Sequence, residues 1–229
     1  MKTVLITGAS SNLGSAIVAR FLEQGYFVYG CYAHMGPKVA EMEAFGSVKM
    51  LHLDVTDPAS FASLSEIKTL DVLVNNSGIF VSHFEQDIPI EEWDNVFAVN
   101  IRGIHQVVKM VLPVLKPDGA IINIASINAL HPGFGMTVSY DASKGAVVSY
   151  TQSLAAEIAP IRVNAVAPGL LDAPYLHTED NTIRKRFEGR ALLGRMVKPE
   201  EVASAVLFEA ENTAMTGQVL VIDCGYMMG

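Results

Sequence analysis

Short apolar runs, largely β-branched, recur along the chain at residues 3–7, 27–32, 48–53, 71–75, 120–125, 162–167 and 219–223. They are nearly continuous rather than alternating, the pattern of strands buried on both faces. Between them, apolar residues fall at helical spacing over 13–24, 91–115, 142–158 and 199–208. Strands alternating with helices predict an α/β fold, a doubly wound parallel sheet of about seven strands with helices on both faces and right-handed crossovers. No internal repeat or linker-like stretch divides the chain, so residues 1–229 are expected to form a single domain. Residues 173–195 break the rhythm, being polar, charged and aromatic. An insertion after a strand's carboxyl end lies over the ligand crevice of such a fold, which makes this segment a lid candidate.

The bulk numbers fit that picture. Of 229 residues, 50% are hydrophobic and 17% charged, enough apolar material for a full core. The net charge of −8 is spread without blocks, which argues against nucleic acid as a main partner. The first apolar run is too short for a signal peptide, and none reaches the ~18 residues of a membrane span, so a cytoplasmic protein without a membrane partner is expected. Cys31 and Cys224 have no cysteine or histidine neighbour at metal spacing and read as reduced core residues.

Two stretches carry candidate chemistry. In Tyr140-Asp141-Ala142-Ser143-Lys144, a phenol and an ammonium stand four residues apart on one face of a helix start. A phenol ionises near pH ~10, so acid/base work at neutral pH asks for roughly 4 kcal/mol, which a cation at ~4 Å supplies at an effective dielectric of ~20. Taken alone, the pair reads equally as a buried tyrosine beside a snorkelling lysine. The second stretch, Thr7-Gly8-Ala9-Ser10-Ser11-Asn12-Leu13-Gly14, follows the first strand and opens a helix. Its glycines suit a tight turn close to a pyrophosphate, which a helix N-terminus attracts.

Together these stretches resemble the short-chain dehydrogenase/reductase family, whose cofactor turn reads T-G-x-x-x-G-x-G; Thr7, Gly8 and Gly14 match, with Asn12 for the middle glycine. Further landmarks follow in order: Asp54-Val55, Asn75-Asn76-Ser77-Gly78, Pro168-Gly169, Leu193-Gly194-Arg195, Thr216-Gly217-Gln218 and Asp223-Cys224-Gly225. The resemblance implies a Rossmann-type domain holding NAD(P)(H) through Gly8, Ser10, Ser11, Asn12, Leu13, Gly14, Tyr32, Ala33, His34, Asp54, Val55, Asn76, Ser77, Gly78, Tyr140, Lys144, Pro168, Gly169 and Leu171. The end of the second strand lacks the carboxylate that binds a ribose 2′-hydroxyl, which tips the expectation towards NADP(H), with His34 and Lys38 as phosphate partners.

By the same resemblance the catalytic residues are Asn100, Ser126, Tyr140 and Lys144, with no metal. Ser126 lies fourteen positions before Tyr140, one more than is common in the family. The implied reaction is hydride exchange between NAD(P)(H) and a carbonyl or secondary alcohol. Ser126 and Tyr140 bind the substrate oxygen, Tyr140 donates the proton, Lys144 stabilises the tyrosinate, and Asn100 holds a relay water. Substrate contacts are expected from Ser126, Asn128, Phe134, Tyr140, Leu170 and Tyr175, with Leu130, His131, residues 79–84 and Leu176 nearby. This mostly apolar set suits an aliphatic or ring ketone. The nearest overall resemblance is to 3-oxoacyl-acyl-carrier-protein reductases. Pteridine and sugar or polyol reductases are the enzymatic alternatives, and a non-catalytic dinucleotide-binding regulator is the alternative of another class. The family assembles through its two long helices and C-terminal strand. A homodimer or homotetramer is therefore expected, with Val107, Met110, Val111, Val147, Val148 and Leu154 on the outer faces.

Overall fold

In the computed structural model, residues 1–133, 135–178 and 181–229 are described, Tyr175 by its backbone only. Seven parallel strands form one sheet: β1 (Thr3–Ile6), β2 (Phe27–Tyr32), β3 (Val48–His52), β4 (Leu70–Asn75), β5 (Leu115–Ile124), β6 (Arg162–Pro168) and β7 (Val219–Ile222). Their spatial order is β3-β2-β1-β4-β5-β6-β7. The order reverses between β1 and β4, and the carboxyl ends of those strands are where such sheets bind ligands. Neighbouring strand residues serve opposite faces, as continuous apolar runs require. Ile6, Val74 and Ile122 join one core with helices α1 (Asn12–Glu23) and α7 (Pro199–Glu211), while Leu5, Leu73 and Ile121 join the other.

The predicted helix over 91–115 is four pieces. α3 (Ile90–Phe97) and α4 (Gly103–Val111) are α-helical, a π turn spans Ala98–Arg102 between them, and Leu112–Val114 closes as a 3₁₀ turn. A π turn accommodates one extra residue, and here it carries the buried Asn100. α5 (Val138–Glu157) starts four residues earlier than its apolar spacing suggested, taking Tyr140 into its first turn. Periodicity did not reveal α2 (Pro37–Glu43), the 3₁₀ segment Pro58–Glu66 or α6 (Thr182–Arg190), each short or lacking a continuous apolar stripe.

Two expectations are corrected. Val107, Val111, Val147 and Leu154 face the core, not outwards; of the six residues assigned to the outer faces only Met110 is exposed, and Val148 is half-buried. Both long helices lie against the sheet, and these branched side chains pack into the core beneath it. Cys31 is buried as expected, but Cys224 is half-buried in the turn after β7, with φ +54. No helix among the described residues is long and apolar enough to cross a membrane.

Candidate active site

The glycine turn is braced from β4. Thr7 Oγ1 accepts hydrogen bonds from the backbone N–H groups of Asn76 and Ser77, both at 3.0 Å. Asn76 Nδ2 donates to Thr7 O at 2.9 Å and Gly8 O at 3.0 Å, with Ser11 Oγ at 3.3 Å. Gly8 has φ +62, and a side chain at Gly14 would collide with Gly8 O. Ser11 caps α1 by accepting from Gly14 N at 3.0 Å. The turn is therefore held by its own hydrogen bonds, at a helix start that offers N–H groups and a positive dipole end to phosphate. Leu13 and Val55 are buried, so only their backbones are available to a cofactor.

Asn12 Nδ2 donates to Asp172 O at 3.0 Å, which commits the side chain to the segment after β6. Asn12→Gly should thus change the dissociation constant for NADPH by less than tenfold in a fluorescence titration. Tightening beyond tenfold would mean that Asn12 obstructs the site, a difference of more than ~1.4 kcal/mol.

At the carboxyl ends of β2 and β3, Tyr32 pairs in register with His52 and their rings lie 5.7 Å apart. Ala33 and His34 are exposed beyond them. The side-chain and backbone bonds from Thr56 hold the Asp54 carboxyl below its ordinary range, with the nearby His34 and His52 adding to the effect. Sequence reasoning missed His52, because only the β2–β3 register brings it beside Tyr32.

The four residues expected to be catalytic converge at the ends of β4 and β5. Lys144 is 4% exposed, and its Nζ donates to Ile124 O at 2.8 Å, two residues before Ser126. That nitrogen lies 5.7 Å from the centre of the Tyr140 ring, and burial pushes its pKa down to about 8. Asn100 Oδ1 accepts from Ile79 N at 2.8 Å, while Nδ2 donates to Ile79 O and Ser143 Oγ, each at 3.0 Å. Ser143 Oγ in turn donates to Tyr140 O at 2.7 Å. Ser126 Oγ accepts from Asn128 N at 3.1 Å, leaving its own proton to donate. A side-chain carbon at Gly78 would sit 3.4 Å from both Lys144 Nζ and Asn100 Oδ1. The bare glycine leaves room for a ligand hydroxyl beside the ammonium, and the donor set fits a nicotinamide ribose.

On the substrate side, Phe80 packs its ring against Tyr140 edge-on, 5.0 Å between centres, and remains 57% exposed. Asn128 turns its amide to Asp141 at 2.7 Å. Leu170 O accepts from Val197 N, and Leu171 forms a bridge with Val197, so the root of the lid candidate is tied down beyond Pro168-Gly169. The lid candidate comprises a 3₁₀ turn, Pro174–Leu176, and α6, anchored by the buried Leu176 and Phe187. Phe187 stacks on Tyr226 at 4.6 Å, and the Arg190 guanidinium covers the same ring at 4.5 Å. Phe134 and the Tyr175 side chain lie outside the described residues.

Residues 8–227 match the family model described as Enoyl-(Acyl carrier protein) reductase. The chain is 36% identical over 242 residues to a 3-oxoacyl-acyl-carrier-protein reductase of Thermotoga maritima, covering 99% of this chain and 98% of that one. The chain belongs to the short-chain dehydrogenase/reductase family. It is also 35% identical to a cyclopentanol dehydrogenase of Comamonas sp., over 98% of this chain and 96% of the relative. Its fold superposes with a TM-score of 0.90 on a blue fluorescent protein from a metagenomic library solved in complex with NADPH, at 26% identity and covering 98% and 97% of the two chains. This dehydrogenase/reductase is an NAD(P)-dependent enzyme of the carbonyl/alcohol class, so the reading as a non-catalytic regulator falls away.

Proposed function

We propose that this dehydrogenase/reductase reduces an apolar ketone at the expense of NADPH, with Ser126, Tyr140, Lys144 and Asn100 as its working residues. The observation that carries the reading is the buried Lys144 ammonium behind the Tyr140 ring, with the space at Gly78 beside it. When bound, the nicotinamide supplies the hydride. Ser126, its oxygen already accepting from Asn128 N, donates its proton to the substrate oxygen and fixes the carbonyl. Tyr140 donates the second hydrogen bond and gives up its proton as negative charge develops. Lys144, held by Ile124 O, places positive charge beside the resulting phenolate. Asn100 uses both amide hydrogens and one Oδ1 lone pair on Ile79 and Ser143, so it braces the site and keeps one Oδ1 lone pair for a relay water.

The exposed Phe80 ring offers an apolar surface next to Tyr140, which favours aliphatic or ring ketones over polyols. The absence of a carboxylate at residues 32–34 supports NADPH over NADH. Homodimeric or homotetrameric assembly in the cytoplasm completes the proposal; the half-exposed residues of the edge strand β7 support further pairing.

The test is a panel of cyclopentanone, a 3-oxobutyryl thioester, an aldohexose and a dihydropterin, run with each cofactor and followed by nicotinamide absorbance. Turnover of a ketone with at least tenfold higher kcat/KM for NADPH is expected. A tenfold preference for NADH would overturn the cofactor assignment, and turnover of the sugar or pterin alone would overturn the substrate class.

A further inference from the structure

We propose that Asp141 is a positioning residue whose carboxylate ties the loop after Ser126 to the helix turn carrying Tyr140, and so sets where a substrate carbonyl lies between the two hydroxyls. The inference rests on the function proposed above.

Asp141 accepts three hydrogen bonds from that loop. Oδ1 receives Asn128 Nδ2 at 2.7 Å, and Oδ2 receives Gly133 N at 3.1 Å and Thr137 Oγ1 at 3.0 Å. Asn128 in turn donates its backbone N–H to Ser126 Oγ at 3.1 Å. A continuous path therefore runs from the Ser126 hydroxyl through Asn128 and Asp141 to the residue next to Tyr140. The knot is tight, since a side-chain carbon at Gly133 would fall 2.5 Å from Asn128 Nδ2 and 2.6 Å from Thr137 Oγ1.

The loop depends on such a tie. Gly135 and Met136 both have positive φ, +87 and +61, and a left-handed methionine is a strained choice. The carboxylate grips the chain on both sides of that pair, at Gly133 and at Thr137. His83 N donates to Met136 O at 2.8 Å, which links the loop to the segment bearing Phe80. Hydrogen bonds to an ionised acceptor are stronger than neutral ones, so a single carboxylate contributes strongly to holding the loop between Ser126 and Tyr140, which stand fourteen positions apart.

Asp141→Asn tests this, because it keeps the shape but sets an amide N–H₂ against Gly133 N–H or Asn128 N–H₂. With NADPH and either cyclopentanone or a 3-oxobutyryl thioester as probe, KM should rise at least tenfold while kcat falls less than threefold. The NADPH dissociation constant should not move. Asp141→Ala should raise KM at least as much. Thr137→Val, which deletes one hydroxyl, should raise KM severalfold and serves if the Asp141 variants do not fold. An unchanged KM in Asp141→Asn or Thr137→Val overturns the inference, as does a parallel loss of kcat and NADPH affinity. If Tyr140→Phe keeps turnover, or the wild type reduces neither probe, the proposed function has failed and this inference with it. An inactive Tyr140→Phe beside a wild-type KM in Asp141→Asn means that this inference alone has failed.

Discussion

Tyr140→Phe should lower the turnover number for ketone reduction by about 10³-fold or more while leaving NADPH affinity within twofold. A positioned general acid contributes about 10²–10⁴-fold, and the variant removes the phenolic proton without removing the ring. Phe80 still meets an aromatic edge, and Ser143 still donates to the backbone carbonyl of residue 140, so the fold around the change is preserved. The wild-type pH profile tests the partner in the same proposal. Burial depresses the Lys144 pKa to about 8, so the ammonium is charged below that pH and neutral above it. The kcat/KM for reduction should therefore fall as pH rises through about 8 in the free enzyme. Residual turnover of Tyr140→Phe within tenfold of wild type would falsify the assignment of Tyr140 as proton donor.

The second large effect concerns stability. Glu209 on α7 is completely buried, and neither carboxylate oxygen has a hydrogen-bond partner among the described residues. Burial pushes its pKa up to about 8, from 4.5. Below the unfolded value both states are protonated and no penalty arises. Between the two values the unfolded chain ionises while the folded one stays protonated, so stability falls as pH rises, by about 1.4 kcal/mol per pH unit. From pH 5 to pH 7.5 that loss is about 3 kcal/mol, or roughly 6–12 °C in Tm for a chain of this size. Glu209→Gln cannot ionise, so its Tm relative to wild type should climb across that range. Thermal unfolding of both proteins at several pH values checks the slope, and a constant difference between them would show that Glu209 is not a buried neutral acid.

Much of this architecture was legible in the sequence because buried parallel strands leave uninterrupted apolar runs. β2 was bounded as observed, and β1, β3, β4, β6 and β7 to within one residue at each end. The four-residue spacing of Tyr140 and Lys144 was enough to place both on one helical face. What stayed hidden depends on pairings far apart in sequence. Asn100 sits in a π turn, which apolar spacing does not register, and its three bonds run to Ile79 and Ser143. Residues 79–84 were expected near the substrate, but not the edge-on contact that sets Phe80 against the Tyr140 ring. Asp141 is adjacent to Tyr140, and its bonds to Asn128, Gly133 and Thr137 arise from the fold of the loop, which no local pattern shows. Four of the six outer-face assignments failed, Val107 and Val111 on α4 and Val147 and Leu154 on α5, because which face of a helix meets the sheet is set by packing partners distant in sequence.

The π turn at Ala98–Arg102 has a consequence for how the chain tolerates deletion. The turn absorbs its extra residue by widening, so a one-residue deletion that restored an unbroken α-helix would leave everything beyond it on nearly the same face. Val107, Val108 and Val111 would stay against the sheet. The extra residue thus turns Asn100 inward without disturbing the phase of α4, and such a deletion would spare the hydrophobic core while removing the active-site brace.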